Sequence, residues 1–241
     1  MADIFDDLDK QKFGWFHARS ILTTGMGVFT DGYDLSSVGI VLLIILSSYG
    51  ITSSTPGYVL ITSLVAGTAL IGAAAGALVF GELARRGRVK FYGVDVLILG
   101  VGALMQIFAV NVWVLIIIRL ILGIGVGADY VMSPIIMGEH SNAKDRGKAM
   151  GFGFGMMWGF GALTAAFTFM VFGPILGVSD AILWRIVLAA GAIPALAVVY
   201  LRRNARNAKI YCQNSWGQKN FRAGSKLYCT QECKNSGRYT G

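Results

Sequence analysis

Residues 20–46 read "SILTTGMGVFTDGYDLSSVGIVLLIIL", an apolar run interrupted at its centre by Asp31 and Asp34. A membrane-spanning helix needs about 20 mostly apolar residues, and this run exceeds that. A charged side chain at bilayer depth costs at least about 2.5–3.5 kcal/mol on insertion scales, so an aspartate there points to function. The i, i+3 spacing puts both carboxylates on one helix face, with Tyr33 to one side. Two carboxylates on one apolar face repel and lose hydration, and both effects favour a protonated form near neutral pH. That is the chemistry of a proton relay. A structural role stays open beside it, in which an aspartate caps a broken helix or pairs with an arginine such as Arg119.

The rest of the chain agrees with a bilayer. It is 55% hydrophobic and 14% charged over 241 residues, where a soluble domain carries about 25% charged residues. Mean hydropathy is +0.61. The 32 glycines and 4 prolines suit closely packed membrane helices. Six candidate spans follow, at 19–47, 57–82, 91–111, 113–138, 148–175 and 182–201. Helix is the state expected of each, because an open strand leaves backbone groups unsatisfied in lipid. The expectation is an all-α membrane protein with six transmembrane helices. A cytoplasmic N-terminal segment at 1–18 is expected before a bundle at 19–203, with a basic tail at 204–241. The acidic opening "MADIFDDLDKQK" is the reverse of a signal-peptide n-region.

Charge orients the bundle. Loop 83–90 carries Arg85, Arg86, Arg88 and Lys90, loop 139–148 carries Lys144, Arg146 and Lys148, and the sixth span ends on Arg202 and Arg203. The alternate loops, 48–57 and 176–181, have no Lys or Arg. The positive-inside rule therefore places both ends of the bundle in the cytoplasm, with Arg185 as the outer exception. The expected location is the plasma membrane.

Further charges lie within spans: Asp95 in the third, Arg119 and Asp129 in the fourth. Arg119 and Asp129 are ten residues apart, about 15 Å along a helix axis, so each needs a partner on another helix. The fourth span reads "RLILGIGVGADYVMSPIIMGEH". Its Gly123, Gly125 and Gly127 let a neighbouring helix approach closely. A nucleotide-loop reading of G-x-G-x-G fails, because no strand precedes it. Pro134 is positioned to kink the span beyond Asp129.

Three stretches then resemble the major facilitator superfamily. "KFGWFHARSILTTGMGVFTDGYDL" resembles its entry into helix one, "RLILGIGVGADYVMSPIIMGEHSNAKDRG" its helix-four signature, and "WRIVLAAGAIPALAVVYLRR" its sixth helix. The resemblance covers 8–203, is strongest to the phosphate:proton symporters, with sugar porters next, and implies the first half of a twelve-helix bundle. By that resemblance Asp31 and Asp34 belong to a helix-one proton path and Asp129 is the central proton-coupling carboxylate. Tyr130 is a substrate ligand and Arg119 matches the helix-four arginine. Gly81, Gly87, Arg88 and Lys90 match the helix 2–3 gating loop, with Arg85 and Arg86 in its basic run. The implied partners are a small-molecule or ion substrate, protons and lipid, together with a missing C-terminal half or a second copy.

The chain departs from that pattern. "GELARRGRVK" lacks the loop's usual aspartate and is one residue short, with Glu82 as a displaced substitute. The helix-four "DYP" is Asp129-Tyr130-Val131 here. The helix-five glutamine expected to contact phosphate is replaced within "GMMWGFG" by Met157 or Trp158. A sugar or organic-acid porter of the same architecture therefore stays open, as does a non-transporting membrane fragment. His17, His140 and Glu139 read as interface or loop residues. No constellation suggests an enzyme, a metal, a cofactor or nucleic acid.

The tail is different in kind. Residues 204–241 hold seven Lys/Arg, one acid and all three cysteines, Cys212, Cys229 and Cys233. Three thiols with no nearby histidine do not make a zinc site. The segment has no helical period and is expected to be disordered. A one-base frame shift near codon 204 permits the run Pro-Glu-Thr-Pro-Arg-Tyr, which resembles what phosphate symporters and sugar porters carry after helix six. A frameshifted tail is the expectation, and a genuine basic tail on anionic lipid the alternative.

Overall fold

The computed structural model describes residues 15–91, 93–139, 141 and 144–202, with side chains from residue 21 onward except at 85–91 and 139. Six helical segments follow in order. They are α1, Trp15–Ser48; α2, Tyr58–Phe91; α3, Val94–Met105, prolonged by a 3-10 turn at Gln106–Phe108; and α4, Val112–Glu139. After them come α5, Arg146–Ile175, and α6, Asp180–Arg202. Strands are absent among the described residues. The described residues up to Tyr200 group into one compact unit. The expected 204–241 tail lies outside the described residues.

Five of the six helices are long and apolar enough to cross a membrane, and the third is a shorter apolar helix, Val94–Phe108. It reaches about 24 Å, against a hydrocarbon core of about 30 Å. Gly93 opens it in the left-handed region (φ 111°), and Ala109 closes it in extended conformation. The expected loop at 83–90 is helical, because α2 runs on to Phe91. Glu82, Leu83, Ala84, Arg85 and Arg86 are good helix formers, so the basic run prolongs the helix as far as Phe91, ahead of a turn at Gly93.

Close helix contacts follow the glycines. A Cβ on Gly123 or Gly127 of α4 would strike the carbonyls of Ala69 or Ala73 on α2, and one on Gly72 or Gly76 would strike those of Leu120 or Ile124. Gly125 faces Asp95 and Ile98 of α3 instead. The expected tight packing of span four is thus shared between two neighbours. Gly32 of α1 and Gly161 of α5 make the same backbone-to-backbone approach.

Two helices depart from regular α geometry. α5 contains π-helical turns at Gly151–Met156 and Val171–Ile175, the second around Pro174. α6 is interrupted at Gly191, three residues before Pro194, which has no N–H to give the Ala190 carbonyl. An apolar cluster around Val41, Ile45, Leu115, Trp184 and Val187 closes the end of the bundle that carries Tyr49 and Asp180, here called the distal end. Outward faces are apolar too, with Leu43 69% and Leu78 79% exposed, as lipid-facing helices require.

Candidate functional site

α1 and α4 bring the charged residues inward. Asp31 and Asp34 from α1, and Arg119 and Asp129 from α4, are all buried. They share the interior but form two groups.

The first group lies toward the distal end. The carboxamide of Gln106, in the 3-10 turn after α3, stands between Asp34 and Arg119. Its Nε2 donates to Asp34 Oδ1 at 3.4 Å, and its Oε1 accepts from Arg119 Nη1 at 3.5 Å. Arg119 Nε and Nη2 and Asp34 Oδ2 have no hydrogen-bond partner among the described residues. Opposite charges are thus buried near each other with the amide between them and no direct contact. Ser37 closes the group by donating to the Asp34 carbonyl at 2.8 Å.

The second group surrounds Tyr130. Ser133 donates to Asp129 Oδ1 at 2.8 Å, one turn along α4. Tyr130 lies within reach of the charges of both Asp31 and Asp129, and beside Trp158 of α5. Its ring meets Phe154 edge-on, with centroids 5.4 Å apart. Pro134 lies within α4 four residues after Tyr130, so the Tyr130 carbonyl loses its usual helix donor. Tyr33, between the two helix-one aspartates, turns away and donates to the Val187 carbonyl at 2.8 Å.

The helix-one aspartates share a helix face and still face different partners. One turn of helix is enough to aim Asp34 at Gln106 and Arg119 while Asp31 sits beside Tyr130. Arg119 and Asp129 fall in separate groups, as their ten-residue spacing requires. Asp95 is buried apart from both, and its Oδ1 accepts from the Gly93 N–H at 2.8 Å. Of the two candidates on helix five, Trp158 contacts Tyr130, and Met157 packs against Gly25 of α1. Of the gating-loop residues, Gly81 lies within α2 with open space around it. Arg85, Arg86, Gly87, Arg88 and Lys90 lie on its final turns, and their side chains are outside the described set. Gln106 and Ser133 were not singled out from the sequence. The available signal for Gln106 was a lone amide within the apolar run "LMQIFAV".

Arg185, the exception to the charge rule, has a structural reason. Its Nη1 donates to the Ile107 carbonyl and its Nη2 to the Ala109 carbonyl at 3.2 Å. It satisfies carbonyls left open where α3 ends, and it rests 4.7 Å from the ring centroid of Trp184.

Residues 20–224 match the family described as "Sugar (and other) transporter". The chain belongs to that family. Among curated relatives of this family member, low affinity inorganic phosphate transporter 4 of Medicago truncatula is 34% identical, with 83% of this chain and 43% of that protein covered. The repressible high-affinity phosphate permease of Neurospora crassa is 32% identical, with coverage of 81% and 38%. The chain thus spans about two-fifths of the length of these relatives. Among solved structures, the partially occluded inward-open xylose transporter XylE from E. coli superposes with a TM-score of 0.67 at 23% identity, over 78% of this chain and 50% of that one. Its inward-open form gives 0.66 at 23% identity, over 91% and 56%. The fold is therefore one half of a major-facilitator bundle.

Proposed function

We propose that this chain is the N-terminal six-helix half of a proton-coupled symporter for a phosphate-like anion. The carrying observation is the pair of buried carboxylates, Asp31 and Asp129, beside the partly exposed Tyr130, in a chain similar to inorganic phosphate transporters over four-fifths of its length. Asp31, Asp34 and Asp129 carry protons, and Tyr130 contacts substrate. Arg119 is 0% exposed, so it touches substrate only when the site opens, and here it balances Asp34. Gly81, Arg85, Arg86, Gly87, Arg88 and Lys90 belong to the gate.

In this reading the protein sits in the plasma membrane with both bundle ends cytoplasmic, and the segment at 204–241 is a frameshifted tail. α5 buries the smallest share of the five long spans, 17%, and α2 only 33%. Such faces suit a second six-helix body, either a missing C-terminal half or a second copy. Transporters of this kind hold substrate between two halves that rock about it.

The test is uptake of radiolabelled phosphate into proteoliposomes under an inward proton gradient. Two samples are compared, this chain alone and this chain joined to the C-terminal half of the Medicago relative. Gradient-dependent uptake by the joined protein is expected, and its absence in correctly inserted protein rejects the symporter reading. The aromatic group Tyr130, Phe154 and Trp158 favours a sugar as the second reading, since pyranose faces stack on such rings. Inhibition of uptake by D-xylose but not by phosphate analogues would select it.

A further inference from the structure

The 3-10 turn Gln106–Phe108 is held from both sides. Toward the interior, Gln106 donates to Asp34 and accepts from Arg119. Toward the distal end, its following carbonyls are gripped from outside α3. Arg185 of α6 takes Ile107 and Ala109, and the Tyr49 hydroxyl donates to Ala109 at 2.9 Å. Tyr49 and Trp184 meet at 5.7 Å between ring centroids, and Trp184 in turn lies under Arg185. Two residues from two other segments, Tyr49 and Arg185, thus hold carbonyls within and just after this turn, with Trp184 packed against both. Its first side chain enters the polar interior.

A 3-10 turn is a poor platform by itself, with weaker hydrogen-bond geometry than an α-helix. Both Gln106 contacts lie at the long end of the hydrogen-bond range, so a small displacement of the turn breaks them. The charged or titratable groups near Asp34 are Arg119 from α4 and, on its own helix, Asp31 one turn before it and the neighbouring Tyr33. α3 offers the neutral Gln106. The charges of α2 and α5 are placed at the opposite end of the bundle, at Glu82–Lys90 and Arg146–Lys148, and those of α6 are Asp180, Arg185 and Arg202.

We propose that Arg185 is a positioning residue for the buried carboxylate site. By clamping the Ile107 and Ala109 carbonyls, with Tyr49, it sets the Gln106 amide between Asp34 and Arg119. This rests on reading Asp34 as part of the proton path. The geometry it tests is independent of whether the chain transports anything.

The experiment is site-resolved labelling of the full chain in lipid nanodiscs with dicyclohexylcarbodiimide, which adds to protonated carboxyls in apolar surroundings. Mass spectrometry reads Asp31, Asp34 and Asp129 separately. Gln106→Leu removes the amide donor and leaves apolar bulk in its place, which favours the protonated form of Asp34. Its labelling at neutral pH should rise at least about threefold, less than one full charge-assisted hydrogen bond would give. Arg185→Met should raise Asp34 labelling in the same direction and leave Asp129 unchanged. The double variant should match Gln106→Leu alone, because the two act through one contact. Arg185→Lys, which reaches one carbonyl at a time, should fall between.

Wild-type labelling of Asp34 in Arg185→Met, or effects that multiply in the double variant, overturns the proposal. Should Arg185→Met raise all three carboxyls together, the bundle has loosened and Tyr49→Phe decides. A smaller rise confined to Asp34 supports the clamp, and no rise overturns it. None of these readouts needs substrate, so failure here is distinct from failure of the symporter reading.

Discussion

Asp34 and Arg119 face each other across one carboxamide, with Gln106 3.4 Å from the first and 3.5 Å from the second. A charge buried without its partner is more costly than the pair is beneficial. Arg119→Leu should therefore destabilise the bundle by about 3–5 kcal/mol. Asp34→Asn added to Arg119→Leu should recover much of that loss. Thermal unfolding in detergent, compared across the two singles and the double, measures the coupling. Additive losses would mean that the two charges do not sense each other.

Asp129 accepts from Ser133 in the interior of α4. In a complete transporter built on this half, Asp129→Asn should abolish proton-driven uptake, because the amide cannot take up and release the proton. The protein should still reach the membrane, since shape is conserved. Unchanged uptake would remove Asp129 from the coupling path. Ser133→Ala should leave uptake in place and alter its pH profile.

Gly127 approaches the Ala73 carbonyl so closely that no Cβ fits between them. Both groups are backbone and neither can swing aside. Gly127→Val should separate α2 from α4 and lower yield and melting temperature sharply, at or beyond the roughly 1–3 kcal/mol typical of overpacking. Gly39 has open space around it, and Gly39→Ala is the matched control with little expected change. Equal behaviour of the two would contradict the close approach.

Tyr33 gives its hydroxyl to the Val187 carbonyl, just before the break in α6. Tyr33→Phe keeps the ring and removes one buried hydrogen bond. The expected loss is about 1 kcal/mol. Hydrogen exchange should rise at 187–195 and stay unchanged in α2. Protection that is unaltered across α6 would mean the bond contributes nothing to the break.

The fold was legible because lipid permits few answers. Apolar runs of this length must be helical in lipid, and the order of motifs placed the chain in its superfamily. The buried residues Asp31, Asp34, Arg119 and Asp129 were legible for the same reason, since charge in an apolar run stands out. Their partners were not. Sequence spacing constrains neighbours on one helix, and it excluded an Arg119–Asp129 pair. It could not choose among residues on other helices. That choice came from helix rotation and depth, set by the glycine approaches of Gly32, Gly123 and Gly127. Only packing in three dimensions put Gln106 between Asp34 and Arg119, set Trp158 rather than Met157 beside Tyr130, and gave Arg185 two carbonyls to hold. The helix beyond residue 83 is a case in between. The charges marked the end of the apolar span, but backbone hydrogen bonding carried the helix on to Phe91, because water at a membrane surface does not end a helix that good formers sustain.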